Sequence, residues 1–173
     1  NVVGTDSTAD DWRIVYKNDS TVYAILSTYL SADQIPTSAS LKTEPISFPY
    51  AVWSENREAL GNGLSNQEAW KELINEIDGA TVVGTPTKEI LLNRYNEKNP
   101  SNKIEITSSE ITLNNSADCY DLYVPVNDTY QTCDGYWLTD IVDGSNEAMW
   151  SVGYNGNILA VNCGDTDRTV RPI

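Results

Sequence analysis

The sequence has no histidine, a single phenylalanine, a single methionine and only three cysteines in 173 residues. Without histidine there is no Ser/His/Asp triad, and no Gly-x-Ser-x-Gly elbow presents a serine nucleophile. Cys119, Cys133 and Cys163 form no Cys-x-x-Cys pair, so a zinc site would need a rare ligand set. None of the three has a basic neighbour in sequence to activate its thiol. Phosphate-binding loops and dinucleotide fingerprints are missing as well. No apolar run approaches the ~18 residues that span a bilayer, and no signal peptide is visible. Positive charge is scarce: 11 Lys and Arg stand against 25 Asp and Glu, for a net charge of −14. A phosphate backbone would be repelled by such a chain, which makes nucleic acid a poor partner.

What is present is a globular composition, with 40% hydrophobic and 21% charged residues. A chain of this length forms one domain over residues 1–173 and buries about 70% of its unfolded surface. Residues 1–11 are polar and expected to be flexible. The chain begins at Asn1 without Met, and the expectation is a mature or trimmed chain whose export or anchoring segment is missing. Five Trp and ten Tyr give aromatics that keep a polar edge in contact with water or a hydrogen bond.

The strongest local signal is Asn155-Gly156, which predicts a two-residue type I′ turn between alternating arms. Trp150, Val152 and Tyr154 share one face of the first arm, and Ile158 and Ala160 alternate with Leu159 and Val161 in the second. A second hairpin is expected near the start, with Trp12–Tyr16 and Val22–Ser27 joined by Lys17–Ser20. Residues 31–66 carry Pro36, Pro45, Pro49, Gly61 and Gly63 and read mainly as loop or functional surface. Ser65-Asn66-Gln67-Glu68 has the capping-box pattern, followed by Ala69, Trp70, Leu73, Ile74 and Ile77 at helical spacing up to Gly79. A second helix is expected from Thr85 as N-cap and Pro86, through Ile90, Leu91 and Tyr95, to a stop at Pro100. Lys103–Ile106 and Tyr120–Val126 read as extended pieces. Strands, two helices and strands in that order make an α+β fold, with the N- and C-terminal strands adjacent in an antiparallel sheet.

The terminal residues support a family resemblance. Gly135-Tyr136-Trp137-Leu138, Trp150-Ser151-Val152, Asn155-Gly156 and Val170-Arg171-Pro172-Ile173 resemble the signature of an exported domain of unknown function in Gram-positive gut bacteria. Asp11–Tyr16 resembles that family's opening strand, and Thr81–Asn96 a helical segment of relatives with a prepilin-like anchor. The resemblance covers about half of the chain and implies a C-type-lectin-like, sulfatase-modifying-factor-like fold on a bacterial surface. It implies no catalytic residues.

A lectin-like fold raises calcium and sugar. Calcium-dependent lectins use Glu-Pro-Asn or Gln-Pro-Asp with Trp-Asn-Asp. Here Glu44-Pro45-Ile46 lacks the third ligand and Val126-Asn127-Asp128 lacks the Trp. A calcium loop is the wider possibility, with Asp143, Ser145 and Glu147 offering oxygens at alternate positions. The loop is no EF-hand, because Tyr154 stands where the twelfth ligand belongs. Asp134, Asp140, Asp165 and Asp167 flank the same terminal hairpins and could converge, although Asp, Asn and Ser serve turns routinely. Trp53, Tyr130 and Asp140 are the candidate ligand-binding residues, set in loop-rich stretches where an aromatic could stack on a sugar or a protein. Three cysteines permit one bridge. Cys119–Cys133 is favoured, closing a short loop at a gain of roughly 3 kcal/mol, with Cys133–Cys163 as the alternative. Arg171, inside a terminal strand, is expected to be buried beside an internal carboxylate.

The expectation from sequence is therefore a non-enzymatic recognition module, secreted or on a bacterial cell surface, that binds a glycan or a protein. The alternative is the head of a pilin-like structural subunit. A carboxylate-based hydrolase is a distant third, because abundant carboxylates are no signal in themselves.

Overall fold

The computed structural model describes residues 2–3, 12–43, 52–74, 80–114 and 134–173. The chain runs through β1 (Val2–Val3), β2 (Trp12–Lys17), β3 (Val22–Leu26), α1 (Arg57–Leu64), α2 (Gln67–Trp70) and α3 (Lys88–Lys98). It then passes through β4 (Ile111–Thr112), β5 (Gly135–Ile141), β6 (Ala148–Gly153) and β7 (Asn157–Asn162). The architecture is α+β, and the described residues form two antiparallel sheets, ordered β1-β2-β3 and β4-β7-β6-β5.

The first hairpin forms as expected, its turn held by the Asn18 side chain, which accepts from Thr21 N at 2.8 Å and Ser20 N at 3.1 Å. Alternation along β2 sends Trp12 and Val15 into different cores, and a bulge between Ile14 and Tyr16 brings Tyr16 onto the same side as Val15. The last hairpin also forms, but its turn differs from the two-residue expectation. Val152 pairs with Ile158, which leaves Tyr154, Asn155 and Gly156 to close the loop. Gly156 N donates to Gly153 O at 2.9 Å, and Gly156 alone of the three has a positive φ, +80°. This is the three-residue connection in which glycine takes the left-handed position after an ordinary turn. The Asn155 side chain accepts from Asn157 N at 3.2 Å, a local bond that holds Asn155 out of that position.

The two hairpins lie in different sheets, which corrects the single sheet with adjacent terminal strands. The seam between them is the segment after β7. Thr169 N donates to Gly135 O at 2.9 Å and Trp137 N donates to Thr169 O at 3.0 Å, setting this tail parallel to β5. On its other edge Leu30 N donates to Val170 O at 3.2 Å and Leu26 N to Pro172 O at 2.9 Å. Thr169 Oγ1 donates to Leu30 O at 2.8 Å. Proline cannot donate, and at position 172 only its carbonyl is asked for. The tail thus satisfies the open edge of β5 and the chain after β3 together.

Both faces of this composite layer are covered. Trp137, Met149 and Val161 face one core with Trp12, Leu26, Val170 and the α1 and α2 residues Leu60, Leu64 and Trp70. Tyr136, Leu138, Val152 and Ile158 face the other with Val15, Ile25, Ile173 and the α3 residues Leu91, Leu92 and Tyr95. Burial on both faces is why β5 opens with three consecutive large apolar residues, Tyr136-Trp137-Leu138, rather than an alternating pattern, each contributing about 1.5–3 kcal/mol.

The helices shift from their expected limits. α1 was not foreseen; Asn56 caps it, accepting from Ala59 N at 2.8 Å. Ser65 belongs to the end of that helix, donating its hydroxyl to Gly61 O, and Asn66 caps the short α2 in its place. A 3₁₀ turn over Lys71–Ile74 continues α2. α3 starts from Thr87 rather than Thr85: Thr87 Oγ1 accepts from Ile90 N at 3.2 Å. Thr85 is buried instead, its carbonyl accepting from Thr139 Oγ1 at 2.7 Å. Lys103–Ile106 is not a strand; the nearest strand is β4. Tyr120–Val126 lies outside the described residues.

Candidate functional site

The segment 52–55 is pinned by main-chain bonds to three separate parts of the chain. Trp53 and Lys42 exchange hydrogen bonds, Lys42 N to Trp53 O at 3.1 Å and Trp53 N to Lys42 O at 3.0 Å. Ser54 N donates to Cys163 O at 3.0 Å, and Val52 N donates to Arg168 O. Trp137 Nε1, from the core of β5, donates to Val52 O at 2.6 Å. On this ledge the Trp53 ring is half-buried, with the Lys42 ammonium 4.5 Å from its centroid. Lys42 also pairs with Glu55, the two side chains being 43% and 73% exposed. The hydrogen bond and charge of Lys42 hold the Glu55 carboxyl below the ordinary carboxylate value. Among the described residues the buried Trp53 indole N–H meets no hydrogen-bond acceptor, an arrangement that costs about 1–3 kcal/mol. Trp53 was a candidate from sequence; Lys42 and Glu55 were not. Their only signal is a pairing across residues 43–52, and no local pattern encodes it.

Asp140 lies on β5 and serves α3. Its Oδ2 accepts from Lys88 N, the first amide of that helix, at 2.6 Å. Burial pushes the Asp140 carboxyl up, against that hydrogen bond. Lys88 is itself buried, with its ammonium 3.7 Å from the Trp150 ring centroid and donating to Ser108 O at 3.3 Å. Burial pulls its pKa down, opposed by the charges of Asp140 and Asp143. Asp140 thus ties β5 to α3, and the Lys88 side chain carries the contact on to Trp150 of β6. Among the described residues no hydrogen bond, ion pair or ring contact joins it to Trp53. Tyr130 lies outside the described residues.

Asp143, Ser145 and Glu147 sit in the β5–β6 connection. Ser145 Oγ accepts from Glu147 N at 3.2 Å and from Ala148 N at 3.0 Å, and its carbonyl accepts from the Arg57 guanidinium. Both Ser145 oxygens are therefore occupied within the protein, one of them by a cation of its own. Among the described residues no three His, Cys, Asp or Glu side chains gather as a metal site.

Two of the four flanking aspartates do converge, and the cation they meet is Arg168. Its Nη1 lies 2.8 Å from Asp134 Oδ2 and 2.8 Å from Asp167 Oδ1, and its Nε donates to Ser151 Oγ at 2.8 Å. Burial raises the Asp167 carboxyl, with Arg168 opposing and Asp165 and Asp134 adding to the shift. The run Asp165-Thr166-Asp167-Arg168 places a cation next to acids, but only its burial, which the fold decides, makes the pairing obligatory. Arg171 is fully buried, and its contacts given by the described residues are a carbonyl and a phenol ring rather than the expected carboxylate: its Nε donates to Leu26 O, and it lies 5.5 Å from the Tyr136 ring centroid.

Cys163 is buried and free, so the alternative Cys133–Cys163 bridge is not formed. The favoured Cys119–Cys133 bridge lies outside the described residues. Compared with known proteins, the chain matches no family model, no curated protein and no solved structure.

Proposed function

We propose that this chain is a non-catalytic recognition module with a C-type-lectin-like fold, displayed outside the cell, and that it binds a glycan or a protein through the Trp53 ledge. The observation that carries this reading is the half-exposed Trp53 ring on a backbone locked to Lys42, Cys163 and Arg168, with Lys42 and Glu55 beside it. Binding sites place adaptable polar and aromatic groups on loops held by a rigid scaffold, and that is the situation of this ledge. The acidic surface, with a net charge of −14, suits display in solution. Elsewhere the polar side chains of the terminal hairpins are absorbed internally: Asp140 by α3, Ser145 by its own loop, and Asp134 with Asp167 by Arg168.

The test is a binding screen of immobilised neutral oligosaccharides and synthetic peptides, comparing the wild type with Trp53→Ala. Binding that is lost in Trp53→Ala, with an unchanged circular dichroism spectrum, is the expected result. Binding that survives the substitution, or hydrolysis of a bound oligosaccharide, would overturn the proposal.

A further inference from the structure

Resting on the recognition-module reading, we infer that Trp53 and Glu55 form an acceptor for an alkylammonium group, that Lys42 fills it in cis, and that the partner is a lysine-bearing protein surface. The site already displays the chemistry. An ammonium lies 4.5 Å from the centroid of the Trp53 ring, within the ~6 Å over which a ring attracts a cation, and Glu55 neutralises its charge.

The occupant is poised for exchange. Lys42 is 43% and Glu55 73% exposed, and an ion pair this open to water contributes little. Lys88 provides the contrast within the same molecule. Its ammonium also covers a tryptophan, but it is buried and donates to the Ser108 carbonyl, so nothing outside can take its place. The long-range field selects the same class of ligand. With 25 acidic against 11 basic residues the chain draws cations in and repels polyanions. A lysine side chain from a basic partner would repeat the contacts that Lys42 now makes, and Lys42 would swing into water.

The experiment is titration of the whole chain with trilysine peptide at low salt, followed by calorimetry and by the indole N–H resonances. Because Lys42 competes for the site, Lys42→Ala should bind trilysine about three- to fivefold more tightly than the wild type, the factor an exposed cation–π contact supplies. Trp53→Phe and Glu55→Gln should each weaken binding by a similar factor, and added salt should weaken all of them. Unchanged or weaker binding by Lys42→Ala, or full binding by Trp53→Phe, would overturn the inference, since diffuse negative charge would then account for the association. Binding of neutral oligosaccharides through Trp53 without binding of trilysine would overturn it while leaving the recognition module standing. Binding of neither class would overturn both.

Discussion

Thr169→Val tests the seam between the two sheets. Thr169 is fully buried on the tail, and its hydroxyl donates to Leu30 O at 2.8 Å across the junction with the chain after β3. Valine has nearly the same shape, so the substitution opens no cavity and removes one hydrogen bond. The main-chain bonds of the tail, Thr169 N to Gly135 O and Leu30 N to Val170 O, remain. Losing a buried bond and stranding a buried acceptor costs about 1–3 kcal/mol. In a domain of this size each kcal/mol moves Tm by roughly 2–4 °C, so a loss of about 2–12 °C is expected. Urea unfolding followed by tryptophan fluorescence should show a lower midpoint with an unchanged slope, because the surface exposed on unfolding is the same. Thr112→Val, on the exposed side of β4, is the control and should stay within about 0.5 kcal/mol of the wild type. If Thr169→Val matched that control, the Thr169 hydroxyl would contribute nothing to the seam, and its bond to Leu30 O would be refuted as a stabilising contact.

Gly84→Ala should cost more than a surface change, at least about 1 kcal/mol by thermal melt, because Gly84 has φ +115° and a Cβ there would collide with Leu64 O. Asp140 and Asp167 have carboxyls raised by burial from the ordinary value of 3.8. Their folded forms hold protons that the unfolded chain releases, so their contribution is fully present below 3.8 and is lost as pH rises through the raised values. Asp140→Asn keeps an acceptor for Lys88 N without the charge, and its urea midpoint should gain on the wild type as pH rises from about 4 to 7; a constant difference would refute the assignment. Cys163 is buried with its thiol pushed up by burial, so peptide mapping should find it labelled by a disulfide reagent only after denaturation. Millimolar calcium should leave Tm unchanged, because the Ser145 oxygens are taken by loop amides and Arg57; a reversible rise of several degrees, abolished by chelator, would restore Asp143, Ser145 and Glu147 as a cation loop.

Local chemistry makes several elements legible in the sequence alone. Alternation and the Asn18 turn marked β2 and β3, and the Gly156 region marked the last hairpin. Apolar spacing over Leu91 and Tyr95 marked α3. Each of these depends on interactions between residues within a few positions of one another, which a linear pattern records. The same patterns misplaced helix starts by one or two residues, because Asn66 and Thr87 out-competed Ser65 and Thr85 as caps once the latter were engaged elsewhere, and they read one longer helix where α2 gives way to a 3₁₀ turn after Trp70. α1 escaped notice because Gly61 and Gly63 interrupt its propensity, and packing of Leu60 and Leu64 into the first core supplies what propensity lacks.

What the sequence determined by itself was therefore composition, charge and the elements built from near neighbours. Tertiary structure decided that the Thr169–Ile173 tail would join two sheets, that Asp134 and Asp167 would find Arg168 rather than an external cation, and that Lys42 would meet Trp53 and Glu55. These contacts join residues far apart in the chain, and each forms because a buried edge, a buried charge or an aromatic face must be satisfied by whatever folding brings within reach.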